Sequence, residues 1–104
     1  LFVTVGDNGI ILTSSDGISW TKRTSVTTNN LYGVTYGNST FVTVGDNGTI
    51  LTSSDGNSWT NKRTSSGTSE YLYGVTYGNG LFVTVGWSGT ILTSTDGIYW
   101  TKKL

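Results

Sequence analysis

A segment of twenty residues, Phe41 to Thr60, occurs in near copy before and after itself, so that three copies start at Phe2, Phe41 and Phe82, spaced 39 and then 41 residues apart. A period near forty marks a repeat architecture, in which one supersecondary unit cannot bury its apolar surface alone and stacks on its neighbours. Each copy opens on β-branched and aromatic residues without a helical period and then reaches a short loop whose residues tolerate positive φ: Gly6-Asp7-Asn8-Gly9, Gly45-Asp46-Asn47-Gly48 and Gly86-Trp87-Ser88-Gly89. Strand, hairpin, strand is the expected local structure.

Carried along the chain, the pattern predicts about eleven strands. They are Leu1–Val5, Ile10–Ser14 and Ser19–Thr24; then Leu31–Tyr36, Phe41–Val44, Thr49–Ser53 and Ser58–Thr64; then Tyr71–Tyr77, Leu81–Val85, Thr90–Ser94 and Tyr99–Lys103. Ile50 and Leu51 are adjacent and must point to opposite faces, so such a sheet has two apolar sides and lies between two others. Four-stranded antiparallel sheets stacked around an axis, the blades of a β-propeller, satisfy this; a β-solenoid would need parallel rungs, whereas Asp-Asn-Gly and Gly-Asn turns favour antiparallel hairpins. The fold class expected is all-β, a repeat array over residues 1–104.

Composition narrows the chemistry. Six basic and six acidic residues cancel, which argues against a protein that grips nucleic acid or an anionic membrane, and no apolar run reaches bilayer length. Cysteine and histidine do not occur, which removes disulfides, thiolate chemistry and the commonest general base and metal ligand. One carboxylate per loop is a poor calcium cage, so neither a metal nor any other cofactor is expected. The chain opens on Leu1 in mid-repeat, as expected of a processed product or a segment of a longer array.

Ser14-Ser15-Asp16-Gly17-Ile18-Ser19-Trp20, Ser53-Ser54-Asp55-Gly56-Asn57-Ser58-Trp59 and Ser94-Thr95-Asp96-Gly97-Ile98-Tyr99-Trp100 resemble the Asp-box of BNR and sialidase-like propellers. The preceding Val-Gly-Asp-Asn-Gly-x-Ile is similar to bacterial propellers of the photosystem II assembly-factor type. From Asp16 to Trp20 is four steps, one fewer than in the family motif, so the turn is a shortened relative. The resemblance implies that Asp16, Trp20, Asp55, Trp59, Asp96 and Trp100 are structural, and it sets the phase of each blade. Residues 1–24 are then a blade lacking its inner strand, and 31–64 and 71–104 whole blades. Three blades are too few for a ring, so the expected partner is the chain itself, as a dimer completing a six-bladed ring or as a filament.

All six basic residues fall in the predicted outer strands, as Lys22-Arg23, Lys62-Arg63 and Lys102-Lys103, where two readings stand, charge that guards an unpaired edge or basic ribs for a polyanion, with two charges per blade a weak field for the second. At one end of the blades lie Asp7, Asn8, Asp46, Asn47, Trp87 and Ser88, beside the longer connections that hold Asn29, Asn30, Glu70 and Tyr71. This is the expected binding face. Asp-Asn-Gly is also ordinary turn chemistry, and Trp87 has two readings, a sugar-stacking platform or an aromatic packed on a neighbouring blade or another chain. Tyr32 and Tyr73 open the inner strands near this face, with core packing or a central channel as their expected roles. No carboxylate pair for glycoside hydrolysis is marked out, and no phosphate-binding glycine loop. The expectation is a non-enzymatic, lectin-like module that recognises carbohydrate or protein, suited to an extracellular or cell-surface setting. The alternatives are a self-assembling structural unit or a non-catalytic piece of a larger glycoside-active enzyme.

Overall fold

The computed structural model describes residues 1–61, 64–65 and 68–103, with Thr64 and Ser65 through their backbone. The strands are β1 (Phe2–Val5), β2 (Ile11–Ser14), β3 (Thr21–Arg23), β4 (Leu31–Gly37), β5 (Thr40–Gly45), β6 (Ile50–Ser53), β7 (Thr64–Ser65), β8 (Leu72–Gly78), β9 (Leu81–Gly86), β10 (Ile91–Ser94) and β11 (Tyr99–Lys102). They form three sheets, ordered β1-β2-β3, β4-β5-β6 and β8-β9-β10-β11, with β7 outside β11. The copies pair in one register: Phe2 opposite Ser14, Phe41 opposite Ser53, and Phe82 opposite Ser94.

Turn chemistry sets that register. Asn8 (φ 61°) and Gly9 (φ 73°) both sit in the left-handed region, and the Ile10 amide donates to the Asp7 carbonyl (3.3 Å). This is a two-residue turn of the primed kind, whose twist matches the strands it joins. Asn47-Gly48 and Ser88-Gly89 repeat it in the other copies, and Asn38-Ser39 and Asn79-Gly80 serve the inner hairpins with positive φ at every position.

The second sheet departs from expectation at its outer edge. Instead of a strand over Ser58–Thr64, Thr60 makes a single antiparallel bridge to Thr52, and the chain then leaves the sheet: Thr64 and Ser65 pair in parallel with Tyr99 and Trp100 of the third. Lys62 and Arg63, expected in that outer strand, lie outside the described residues. In the first sheet the outer strand is as expected, and Arg23 Nε donates to Thr13 Oγ1 (2.9 Å).

Alternation along the strands gives each sheet two faces, and apolar clusters fill the two gaps between sheets. Ile11, Val3 and Val5 meet Leu31, Phe41, Leu51 and Trp59 between the first and second sheets. Val42, Val44 and Ile50 meet Leu72, Phe82, Leu92 and Trp100 between the second and third. Thr43 and Thr84, fully buried within these sheets, donate Oγ1 to the carbonyls of Gly33 (2.7 Å) and Gly74 (2.8 Å), which removes the penalty of burying a hydroxyl.

At the end of each sheet opposite the Asn8-Gly9, Asn47-Gly48 and Ser88-Gly89 turns, one aspartate organises a tight loop. Asp16 Oδ1 accepts from the amides of Ile18 (2.8 Å) and Ser19 (3.0 Å) and from Ser14 Oγ (3.0 Å), while Ser14 Oγ accepts from the Gly17 amide (2.7 Å). Asp55 and Asp96 make the same set. All three carboxyls are held below the usual 3.8: Asp16 chiefly by the amides of Ile18 and Ser19, Asp55 by those of Ser58 and Asn57. At Asp96 desolvation pushes upward but is outweighed by the amides of Tyr99 and Ile98 together with the Ser94 hydroxyl.

A carboxyl whose pKa is lowered by folding stabilises the chain above its unfolded value, and that contribution disappears as pH falls through the folded value. The melting temperature is therefore expected to hold steady above about pH 5 and to fall steadily below about pH 4. Asp55→Asn, which cannot gain a proton, should flatten part of that decline. Calorimetry across the acid range checks both; a melting temperature that rose on acidification would contradict the turn assignment.

Candidate functional site

The opposite end of the sheets carries the Asn8-Gly9, Asn47-Gly48 and Ser88-Gly89 turns and the two connections between sheets. Main-chain geometry ties these loops together. The Asn8 amide donates to Asn30 Oδ1 (2.8 Å), and the Asp46 amide donates to the Asn30 carbonyl (3.0 Å). One repeat later the Trp87 amide donates to the Tyr71 carbonyl (2.8 Å), and Thr90 Oγ1 donates to the Trp87 carbonyl (2.8 Å).

The inner strands add two aromatic residues. The β4–β5 ladder shifts register between Leu31 and Gly33, and the β8–β9 ladder between Leu72 and Gly74, leaving Tyr32 and Tyr73 unpaired on bulges. Bulges re-aim the side chain they carry. Tyr32 and Tyr73 are 40% and 44% exposed instead of packed in the core, and their ring centroids lie 5.3 Å apart. Tyr71 stands edge-on to Tyr73 at 6.5 Å. Trp87, at 62% exposure, is not packed on a neighbouring sheet; with Tyr71, Tyr73, Ser69 and Glu70 it lines a groove of about 320 Å³.

Electrostatics sharpen one end of this row. The Asp46 carboxylate beside the Tyr32 hydroxyl raises the phenol's pKa above its usual 10.0, partly offset by Asn30. Asp46 Oδ1 is buried and accepts no hydrogen bond from the described residues. A buried acceptor without a donor is costly unless a water or ligand supplies one.

Of the residues marked from sequence, Asp46, Tyr32, Tyr73 and Trp87 therefore come together along one row. Asp7 and Asn8 line a separate groove with Lys22 and Arg23 at the first sheet, and Asn47 and Ser88 occupy exposed turn tips. Tyr71 and Glu70 gain more weight than their loop position suggested. A signal for Tyr71 was present: Asn30 and Asp46 of the second copy become Tyr71 and Trp87 in the third, so two positions joined by a backbone hydrogen bond change from polar to aromatic together. Among the described residues no cluster of three or more acidic residues is placed to hold a metal, and no helix is long and apolar enough to cross a membrane.

Among solved structures, one described as "YCF48 bound to D1 peptide" superposes with a TM-score of 0.78 over 96% of this chain, at 22% sequence identity. The chain is built of β-propeller blades. It spans about a third of that structure's length, 34%. No family model matches the sequence, and no curated protein does.

Proposed function

We propose that this partial propeller is a non-catalytic recognition module that binds an extended protein segment across its loop end. The observation that carries the reading is the row Tyr32, Tyr73, Tyr71 and Trp87, four exposed rings side by side at the loop end, apart from the apolar surface of the end sheets. Tyr and Trp give large contact area at low entropic cost, which is why they dominate binding hot spots. Glu70, which lines the groove beside Trp87, supplies an acceptor for a backbone amide or a basic side chain. The superposed YCF48 structure holds a peptide, which favours protein over other ligands. A chain without histidine or cysteine suits binding better than catalysis.

Carbohydrate is the second reading, favoured by the 62% exposure of the Trp87 ring beside Glu70, a platform on which a sugar face could stack. Selection from a displayed library of linear peptides, run beside an oligosaccharide array, separates the two. Peptides selected by the chain are expected to lose at least ~10-fold in affinity, or about 1.4 kcal/mol, on Trp87→Ala or Tyr73→Ala, and nothing on Trp20→Ala. Selection of sugars alone would replace the first reading by the second. Ligands indifferent to Trp87 and Tyr73 would remove both. We also infer that the chain's protein partners include copies of itself, since its end sheets expose Phe2, Trp20 and Val85.

A further inference from the structure

The sheets inside the chain meet twice, and both meetings use the same pairing. Val3, Val5 and Ile11 of the first sheet face Phe41, Leu51 and Trp59 of the second; Val42, Val44 and Ile50 of the second face Phe82, Leu92 and Trp100 of the third. Because side chains alternate across a strand, each end sheet is left with the half that its inner face does not use. On the first sheet this is Phe2, Leu12 and Trp20, with Phe2 56% and Trp20 41% exposed. On the third it is Val83, Val85 and Ile91, with Val85 47% exposed. One molecule thus carries both halves of its own internal interface, on opposite sides.

The free halves are already shaped for use. Phe2 and Trp20 stand 6.5 Å apart at 51°, against 6.2 Å and 54° for Phe41 with Trp59 and 6.4 Å and 51° for Phe82 with Trp100. The glycine after each turn aspartate tells the same story. A Cβ on Gly56 would lie 2.5 Å from Leu1 Cδ2, and one on Gly97 would lie 3.1 Å from Val42 Cγ2, so the preceding sheet presses on both. At Gly17 a Cβ would meet only Phe2 of its own sheet, at 3.6 Å. The space that Leu1 and Val42 occupy elsewhere is open there.

We infer that a second copy of this chain docks its Val83-Val85-Ile91 face on the Phe2-Leu12-Trp20 face of the first, head to tail, continuing the stack across the boundary between molecules. Leu81 and Val83 of the incoming copy fill the room over Gly17. The contact is heterologous, so it closes into a ring if the rotation between copies allows and otherwise extends as a filament. The inference rests on the reading that the chain associates with itself, and is independent of the ligand at the loop end.

Sedimentation velocity tests it on the chain as it stands, with Trp20→Lys and Val85→Lys, each checked for an unchanged circular dichroism spectrum; Trp20→Ser and Val85→Ser substitute if a lysine perturbs the sheets. The unaltered chain is expected to sediment above its 11.1 kDa mass and to dissociate on dilution. Each variant alone is expected to be monomeric. An equimolar mixture should regain a two-chain species, because Trp20→Lys keeps the valine face and Val85→Lys keeps the Phe2–Trp20 face. A monomer at every concentration would overturn self-association altogether. Association that survives either substitution would leave self-association standing and overturn these faces, and a mixture that fails to pair would overturn the head-to-tail arrangement.

Discussion

Trp100→Ala is expected to cost about 3–5 kcal/mol of folding stability, whereas Trp20→Ala in the dilute chain costs roughly 1 kcal/mol. The two residues end nearly the same turn sequence and differ in what lies over them. Trp100 is 3% exposed, packs on Phe82, and donates its indole N–H to the Gly97 carbonyl (2.9 Å), so truncation opens a cavity and strands a buried acceptor. Trp20 is 41% exposed and faces away from the second sheet. A domain of this size has only about 5–15 kcal/mol in total, so Trp100→Ala should leave a marginal fold. Trp59, 4% exposed and bonded to Gly56, should behave like Trp100. Urea denaturation of the three variants measures the series; equal costs would mean that the sheets do not stack in this order.

Gly45→Ala and Gly86→Ala are expected to lose about 1–3 kcal/mol or more, and Gly6→Ala close to nothing. All three glycines are extended, near φ −165°, a conformation open to any residue, so the difference is one of space. A Cβ on Gly45 would sit 2.0 Å from the Asn30 carbonyl oxygen, and one on Gly86 2.0 Å from that of Tyr71. Both oxygens belong to the backbone entering an inner strand and cannot retreat without breaking their bonds to the Asp46 and Trp87 amides. At Gly6 the entering strand meets the other side of the residue, the Leu31 amide donating to the Gly6 carbonyl (3.0 Å), so a Cβ would meet only Ile10 Cγ2, at 3.0 Å, a side chain that can turn aside. Calorimetric melting of the three variants measures the contrast. Similar losses at all three positions would contradict the placement of the inner strands.

Much of this architecture was legible in the residues. The period near forty, the adjacency of Ile50 and Leu51, and the Asn-Gly pairs at fixed offsets give stacked sheets of hairpins in their observed register. What the sequence could not show is the third dimension of a repeat. Trp20, Trp59 and Trp100 read alike but differ in burial, and Gly6, Gly45 and Gly86 read alike but differ in clearance, because those properties belong to the neighbouring sheet. The outer edge of the second sheet escaped for a related reason: the pairing of Thr64 and Ser65 with β11 is long-range and parallel, and no local pattern announces it. At the loop end, the residues left Tyr32 and Tyr73 between core packing and a central channel, because they sit among strand formers. A bulge, which costs one residue of register and leaves no mark in hydropathy, turns them outward.

The stacking order itself can be measured through the four tryptophan indole N–H groups, whose hydrogen exchange is resolved one by one in two-dimensional NMR of the dilute chain. Trp59 and Trp100, buried and bonded to Gly56 and Gly97, should exchange slowly. Trp20 and Trp87, at 41% and 62% exposure, should exchange fast. Two protected and two unprotected indoles, in that assignment, is the result this structure requires. Fast exchange at Trp59 or Trp100, or protection of Trp20 before any association sets in, would contradict it.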